Sequence, residues 1–212
     1  MNGAEALPVA ATYNWSGGYV GAQIGYAWGR SVFSTPNDDE TGRFDPDSVI
    51  GGLYLGYNHQ INGGPWVVGV DGDLTFGGEH KAHKWSWSGD GVYDPDHVTI
   101  GQIDYAVALR ARVGYAVDRW LPYVAGGVST ARFAFALDHD GTENWDFQQK
   151  QTLTGWNIGV GVEYAATDNL VVRAEYRYTD FGSKNYYDAN WDGESKINLS
   201  SNDLRLGVAY KF

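Results

Sequence analysis

The chain has 212 residues, 29 of them Gly, 15 Tyr and nine Trp, and a net charge of -11 from 15 Lys and Arg against 26 Asp and Glu. That length accommodates one domain or one barrel, and an acidic chain without a basic stripe argues against nucleic acid as a partner. The absence of Cys removes disulfide frameworks, thiolate nucleophiles and zinc ribbons.

No run of about eighteen apolar residues occurs, which excludes transmembrane helices but not membrane β-barrels, whose strands show only short alternating segments. The start, Met1-Asn2-Gly3-Ala4-Glu5, has no basic region followed by an apolar core. The expectation is that any secretory signal has been removed.

From Gly17 onward the sequence has a period of two. The first predicted strand, Tyr19 to Arg30, sets Val20, Ala22, Ile24, Tyr26 and Trp28 against Gly21, Gln23, Gly25 and Ala27. Seven more follow at 49–58, 66–76, 98–115, 121–137, 152–164, 170–181 and 201–212. Their connections alternate. Residues 61–64, 117–119 and 166–169 have the composition of tight hairpin turns. The segments 31–47, 78–97, 138–150 and 182–197 read as long polar loops. The fold expected is all-β: an eight-stranded antiparallel up-and-down transmembrane barrel with short periplasmic turns and four long extracellular loops. Residues 1–16 would be a periplasmic N-terminal segment and 17–212 the barrel.

The polarity of the faces separates this from a soluble, lipocalin-like barrel, which points its apolar face inward. In the fourth strand Ile103, Tyr105, Val107, Leu109, Ala111, Val113 and Tyr115 form one continuous apolar face, opposite Arg110 and Arg112. The last two strands repeat this, with charge on the side where glycine is frequent. The membrane reading turns Gly25, Gly69, Gly114, Gly126, Gly159, Gly161 and Gly207 inward, leaving room for long Arg side chains.

The four loops carry 16 acidic and six basic residues, so the barrel is nearly neutral. Its charges are expected in the lumen: Asp71, Asp73, Asp104, Glu163, Glu175 and Asp203 against Arg110, Arg112, Arg132, Arg173, Arg177, Arg205 and Lys211. About eight strands enclose an interior that side chains just fill, so a plugged, salt-bridged core is favoured over an ion pathway. Outward aromatic residues form two girdles, with Tyr57, Trp66, Tyr115, Tyr123, Tyr164, Tyr210 and Phe212 near the short turns. Trp28, Phe76, Tyr105, Phe133, Trp156 and Tyr178 lie near the loops.

Sites of chemistry are weakly indicated. His80 and His83 have no further ligand nearby in sequence, so a solvated loop outweighs a metal or haem site. Asp45-Pro46-Asp47 and Asp94-Pro95-Asp96 read as turn chemistry before divalent-cation sites. No Ser, His and acidic set has the context of a nucleophile elbow. No enzyme, cofactor or metal is called for. The tail, with Leu206, Val208, Tyr210 and the C-terminal Phe212 on one face, looks like the signal read by the outer-membrane barrel assembly machinery.

These residues resemble a known family, the small outer-membrane barrels of alphaproteobacteria called outer-membrane immunogenic or porin-like surface proteins. The similar phrases are Tyr13-Asn14-Trp15-Ser16-Gly17-Gly18-Tyr19-Val20-Gly21, Gly69-Val70-Asp71-Gly72-Asp73, residues 109–115, residues 173–178 and Tyr210-Lys211-Phe212. The resemblance implies an abundant envelope protein with exposed loops, surrounded by outer-membrane lipid and lipopolysaccharide. It also implies, for members that begin with Ala followed by Asp or Glu, attachment of the mature N-terminus to peptidoglycan diaminopimelate by an L,D-transpeptidase. Ala4-Glu5 matches that start, and Ala6 to Thr12 has the composition of a spacer. Two alternatives stand beside the anchoring role: a narrow porin-like channel, and a protein whose surface loops bind haem or a host ligand.

Overall fold

Antiparallel pairing joins the strands into one sheet whose last strand returns to pair with the first. The computed structural model describes residues 13–34, 41–44, 47–77, 79–85, 94–138, 147–188 and 193–212, with side chains described over 13–29, 47–77, 104–132, 152–182 and 200–212. The strands are β1 (Gly17–Ser34), β2 (Thr41–Phe44), β3 (Asp47–Gln60), β4 (Trp66–Gly77), β5 (Glu79–Trp85), β6 (Asp94–Tyr115), β7 (Trp120–Asp138), β8 (Phe147–Ala165), β9 (Leu170–Asp188) and β10 (Gly193–Lys211). β2 and β3 pair with the same side of β1, and β4 and β5 with the same side of β6, so ten segments make eight staves. β1 pairs with β10 from Tyr19↔Lys211 to Ser34↔Lys196, which closes the sheet into a barrel.

The strands run well into the four segments read as long loops. β9 and β10 stay paired to Asp188↔Gly193, and β7 and β8 to Leu137↔Phe147. Apolar alternation marks a strand only while its two faces meet different surroundings. Where a ribbon projects with water on both sides, the backbone ladder persists and the pattern that reports it is lost.

At the other end the turns are short. Asn62 and Gly63 take φ of 51° and 65° in the β3–β4 turn, and Asp118 takes φ of 54° between β6 and β7. These are the residue types that tolerate left-handed backbone. Between β8 and β9 the Thr167 hydroxyl accepts from the Leu170 N–H at 2.9 Å.

Outside the barrel stands a belt of exposed apolar side chains, among them Ile24, Leu55, Val70, Leu109, Val128, Ile158 and Leu206. Inside, the buried residues include ten charged ones. This inversion of the soluble pattern is what a wall solvated by hydrocarbon requires. Aromatic pairs stand on the outer wall: Trp66 with Tyr115 and Tyr210 with Phe212 on the turn side, and Trp156 with Tyr178 on the loop side.

Candidate functional site: the charge-paired lumen and its N-terminal clamp

Inward positions on β4, β6, β8, β9 and β10 bring five acids and five arginines together: Asp71, Asp73, Glu163, Glu175 and Asp203 with Arg110, Arg112, Arg173, Arg177 and Arg205. Equal numbers leave this cluster formally neutral. Arg110 grips two carboxylates at once. Its Nε and Nη2 donate to Asp71 at 2.8 and 3.1 Å, and its Nη1 and Nη2 donate to Glu175 at 2.7 and 3.0 Å. Both contacts use the planar fork of the guanidinium.

Towards the loops, Arg177 donates from Nε to Glu175 at 3.0 Å and from Nη1 to Asp73 at 3.1 Å. Arg205 reaches Asp73 and Thr75, both at 3.0 Å, and also pairs with Asp203. Towards the turns, Arg112 donates to Glu163 at 2.8 Å and to the Tyr19 hydroxyl at 3.0 Å, with its guanidinium 3.9 Å from the centre of the Tyr123 ring. Arg173 lies 3.7 Å over the Tyr54 ring and donates to Gln23 at 2.7 Å. Several of these contacts, such as Arg110 to Glu175 and Arg177 to Asp73, join strands that are not neighbours, so the side chains act as struts across the lumen.

The three inward tyrosines share one arrangement. Tyr19 stands across from Gly56, Tyr54 from Gly21 and Tyr123 from Gly161. A Cβ on Gly56 would lie 2.3 Å from the Tyr19 hydroxyl, and one on Gly161 would lie 2.6 Å from Tyr123. Each ring lies down over the bare backbone of its neighbour, a close approach that only glycine permits.

The turn end is closed by residues ahead of the first strand. Trp15 is 1% exposed and Tyr13 5%, packed with Val67, Ala116, Leu121, Ala165 and Val171. The backbone N–H of Trp15 donates to Gln60 Oε1, and the backbone N–H of Gln60 donates to Ser16 Oγ, both at 2.9 Å. The Tyr13 hydroxyl donates to the carbonyl of Asp168 at 3.1 Å, while Arg119 and Lys211 flank its ring at 5.7 and 5.3 Å. Burial, then the nearby Asp168, holds the Tyr13 hydroxyl above its ordinary pKa. Residues 13–16, assigned by the sequence to the segment before the barrel, therefore clamp the turns to one another.

Several expected placements differ. Tyr123 is buried in the lumen and does not join the girdle; Gly127, not Gly126, is the inward glycine of β7; and Arg132 faces outward. All three follow from reading β7 one residue out of phase, which turns every side chain over. Asp104 is the extra residue of a bulge between Ile103 and Tyr105 and pairs with Arg132 at 3.7 Å, away from the central network. Lys211 sits by Tyr13 at the turn end.

Leu206, Val208, Tyr210 and Phe212 line the outer face of the last strand. Ala4, Glu5 and Asp45-Pro46 lie outside the described residues, as do the side chains of His80, His83, Asp94 and Phe133. Among the described residues no group of His, Cys, Asp or Glu is arranged to hold a metal ion.

Comparison with known proteins extends these observations. The description "Outer membrane protein beta-barrel domain" matches residues 3–212. The 25 kDa outer-membrane immunogenic protein of Brucella abortus is 34% identical over 206 residues, covering 97% of this chain and 83% of the relative. The 31 kDa outer-membrane immunogenic protein of Brucella melitensis is 33% identical over 222 residues, covering 98% and 89%. The crystal structure of Neisserial surface protein A gives a TM-score of 0.52 at 22% identity, covering 93% of this chain and 98% of that one; at such identity the likeness concerns the fold alone.

Proposed function

The chain belongs to the outer membrane protein β-barrel family, and from that premise we propose that it is a structural barrel that holds the outer membrane to the peptidoglycan through its N-terminal segment. It is an integral outer-membrane protein. The observation that carries the anchoring role is the position of Tyr13 and Trp15, which bring the N-terminal chain to the barrel at the end where the turns are short. With those turns in the periplasm and the projecting ribbons outside, everything ahead of Tyr13 lies on the peptidoglycan side. The nine residues Ala4 to Thr12 reach at most about 30 Å when extended.

In this reading the Ala4 amine, once it is the first residue, attacks the diaminopimelate carbonyl that an L,D-transpeptidase carries as an acyl-enzyme; the amide bond forms as the acyl-enzyme bond breaks and releases the enzyme's nucleophile, and Glu5 is part of what that enzyme recognises. The chain is a substrate and performs no chemistry itself. The outward face of Leu206, Val208, Tyr210 and Phe212 serves as the assembly signal. The lumen supports a structural role over a conducting one, because its arginines and carboxylates are paired across the opening and buried. A passing ion would have to break several buried pairs together.

The test is mass spectrometry of peptides that stay attached to sacculi from the native host after boiling in detergent. A muropeptide joined through the amine of Ala4-Glu5 is the expected finding. A free N-terminus, in cells where other proteins are linked, would overturn the anchor.

A further inference from the structure

Arg132 is a cation on the outer wall of a barrel whose other described outward charges at that level, Asp47 and Asp180, are acidic. Its strand neighbours are Tyr105 on one side and Thr152 on the other. One step nearer the turns, Thr130 and Thr154 face each other outward with hydroxyl oxygens 3.2 Å apart. One step further stand Val128 and Trp156, where the apolar belt begins.

An arginine facing hydrocarbon at mid-depth is strongly disfavoured, and far less so at the interface. Arg132 and its hydroxyl neighbours therefore mark the headgroup level on this side of the barrel. Among the described residues, the charged partner of the guanidinium is Asp104. Its ion pair with Asp104, measured from Nε, is 3.7 Å long, and the Arg132 side chain remains 44% exposed. That is an ion pair beyond hydrogen-bond length, on a side chain that keeps an exposed face on the outer wall.

We propose that Arg132, with the outward hydroxyls of Thr152 and Thr154, is a docking site for the phosphate of an outer-leaflet glycolipid. The guanidinium takes the phosphate oxygens, the hydroxyls take the adjoining sugar, and the acyl chains lie along Val128, Trp156 and Ile158. The proposal rests on the orientation given above, with the projecting ribbons outside.

The experiment uses the full chain folded in detergent, with bisphosphorylated lipid A as probe and native mass spectrometry as readout. Wild-type protein retains lipid A, R132Q weakens retention by at least about tenfold, and R132K recovers part of it, consistent with a charge-assisted contact. Equal retention by R132Q overturns the site. Equal retention of dephosphorylated lipid A overturns the phosphate contact. Phosphatidylglycerol bound as tightly as lipid A, or displacement by inorganic phosphate, overturns the choice of a glycolipid.

Orientation is read separately. The chain has no Cys, so G91C, between β5 and β6, reports through a membrane-impermeant maleimide on intact cells. Labelling with no lipid A retention sinks this site alone. Labelling only after permeabilisation sinks the orientation and the site with it.

Discussion

Tyr123 and Gly161 are cross-strand partners on β7 and β8, and the tyrosine hydroxyl continues past the glycine to donate to Glu175 at 2.6 Å. The glycine thus fixes a ring that also stacks on Arg112. Gly161→Ala is expected to push the ring off this position and destabilise the barrel by about 1–3 kcal/mol, the usual cost of overpacking. Gly51→Ala, whose new Cβ would meet nothing nearer than 3.8 Å, is the control. Guanidinium unfolding in lipid vesicles compares them; equal midpoints would show that the ring can move freely.

Removing the central arginine is a stronger perturbation. Arg110→Met leaves Asp71 and Glu175 buried without their shared partner, at a cost of about 3–5 kcal/mol. Adding Glu175→Gln should recover part of that loss, giving a double-mutant cycle with clear coupling. Strictly additive effects would mean that the two groups do not act together.

The filled lumen has an electrical consequence. Purified protein in planar bilayers should show no steady conductance. A steady conductance that changes with Arg112→Ala would make the barrel a channel and displace the structural reading.

At the turn end, Trp15→Ala removes the largest side chain of the clamp, which is expected to cost about 3 kcal/mol. Hydrogen exchange should accelerate at the three turns and leave the loop-side ribbons unchanged. Protection that is unaltered at the turns would show that the clamp contributes nothing to their order.

The raised pKa of Tyr13 gives the clamp a pH limit. Because the folded state holds the proton more tightly than the unfolded chain, its contribution is fully present below the ordinary tyrosine pKa of about 10 and is lost as pH rises through the folded value. Exchange at the turn after β8, taken relative to the intrinsic base-catalysed rate at each pH, should therefore rise at strongly alkaline pH, and Tyr13→Phe should abolish that dependence. An alkaline rise that persists in Tyr13→Phe would assign it to another group.

The architecture was legible because a wall between lipid and a polar lumen forces apolar and polar residues to alternate, as on β6 and β9. The alternation failed on β7, where Leu121 to Val128 carries no charge to mark a face and Arg132 misled the phase. An outward charge is acceptable there because that residue stands beyond the apolar belt. Which charges meet was not legible: Arg110 reaches Glu175 across the barrel from a residue 65 positions away. The buried role of Trp15 was not legible because the residue precedes the first strand and belongs to no period.

The clamp also decides how the barrel answers a pull. β1 begins beside the seam with β10, and tension applied directly at Gly17 would peel that seam open one hydrogen bond at a time. Force entering ahead of Tyr13 instead meets Asp168 on one hairpin and Gln60 on another, together with the packed Trp15. Those contacts share the load between two hairpins before it reaches the seam. A cord fastened to the membrane at this point draws on the whole barrel and spares its zipper.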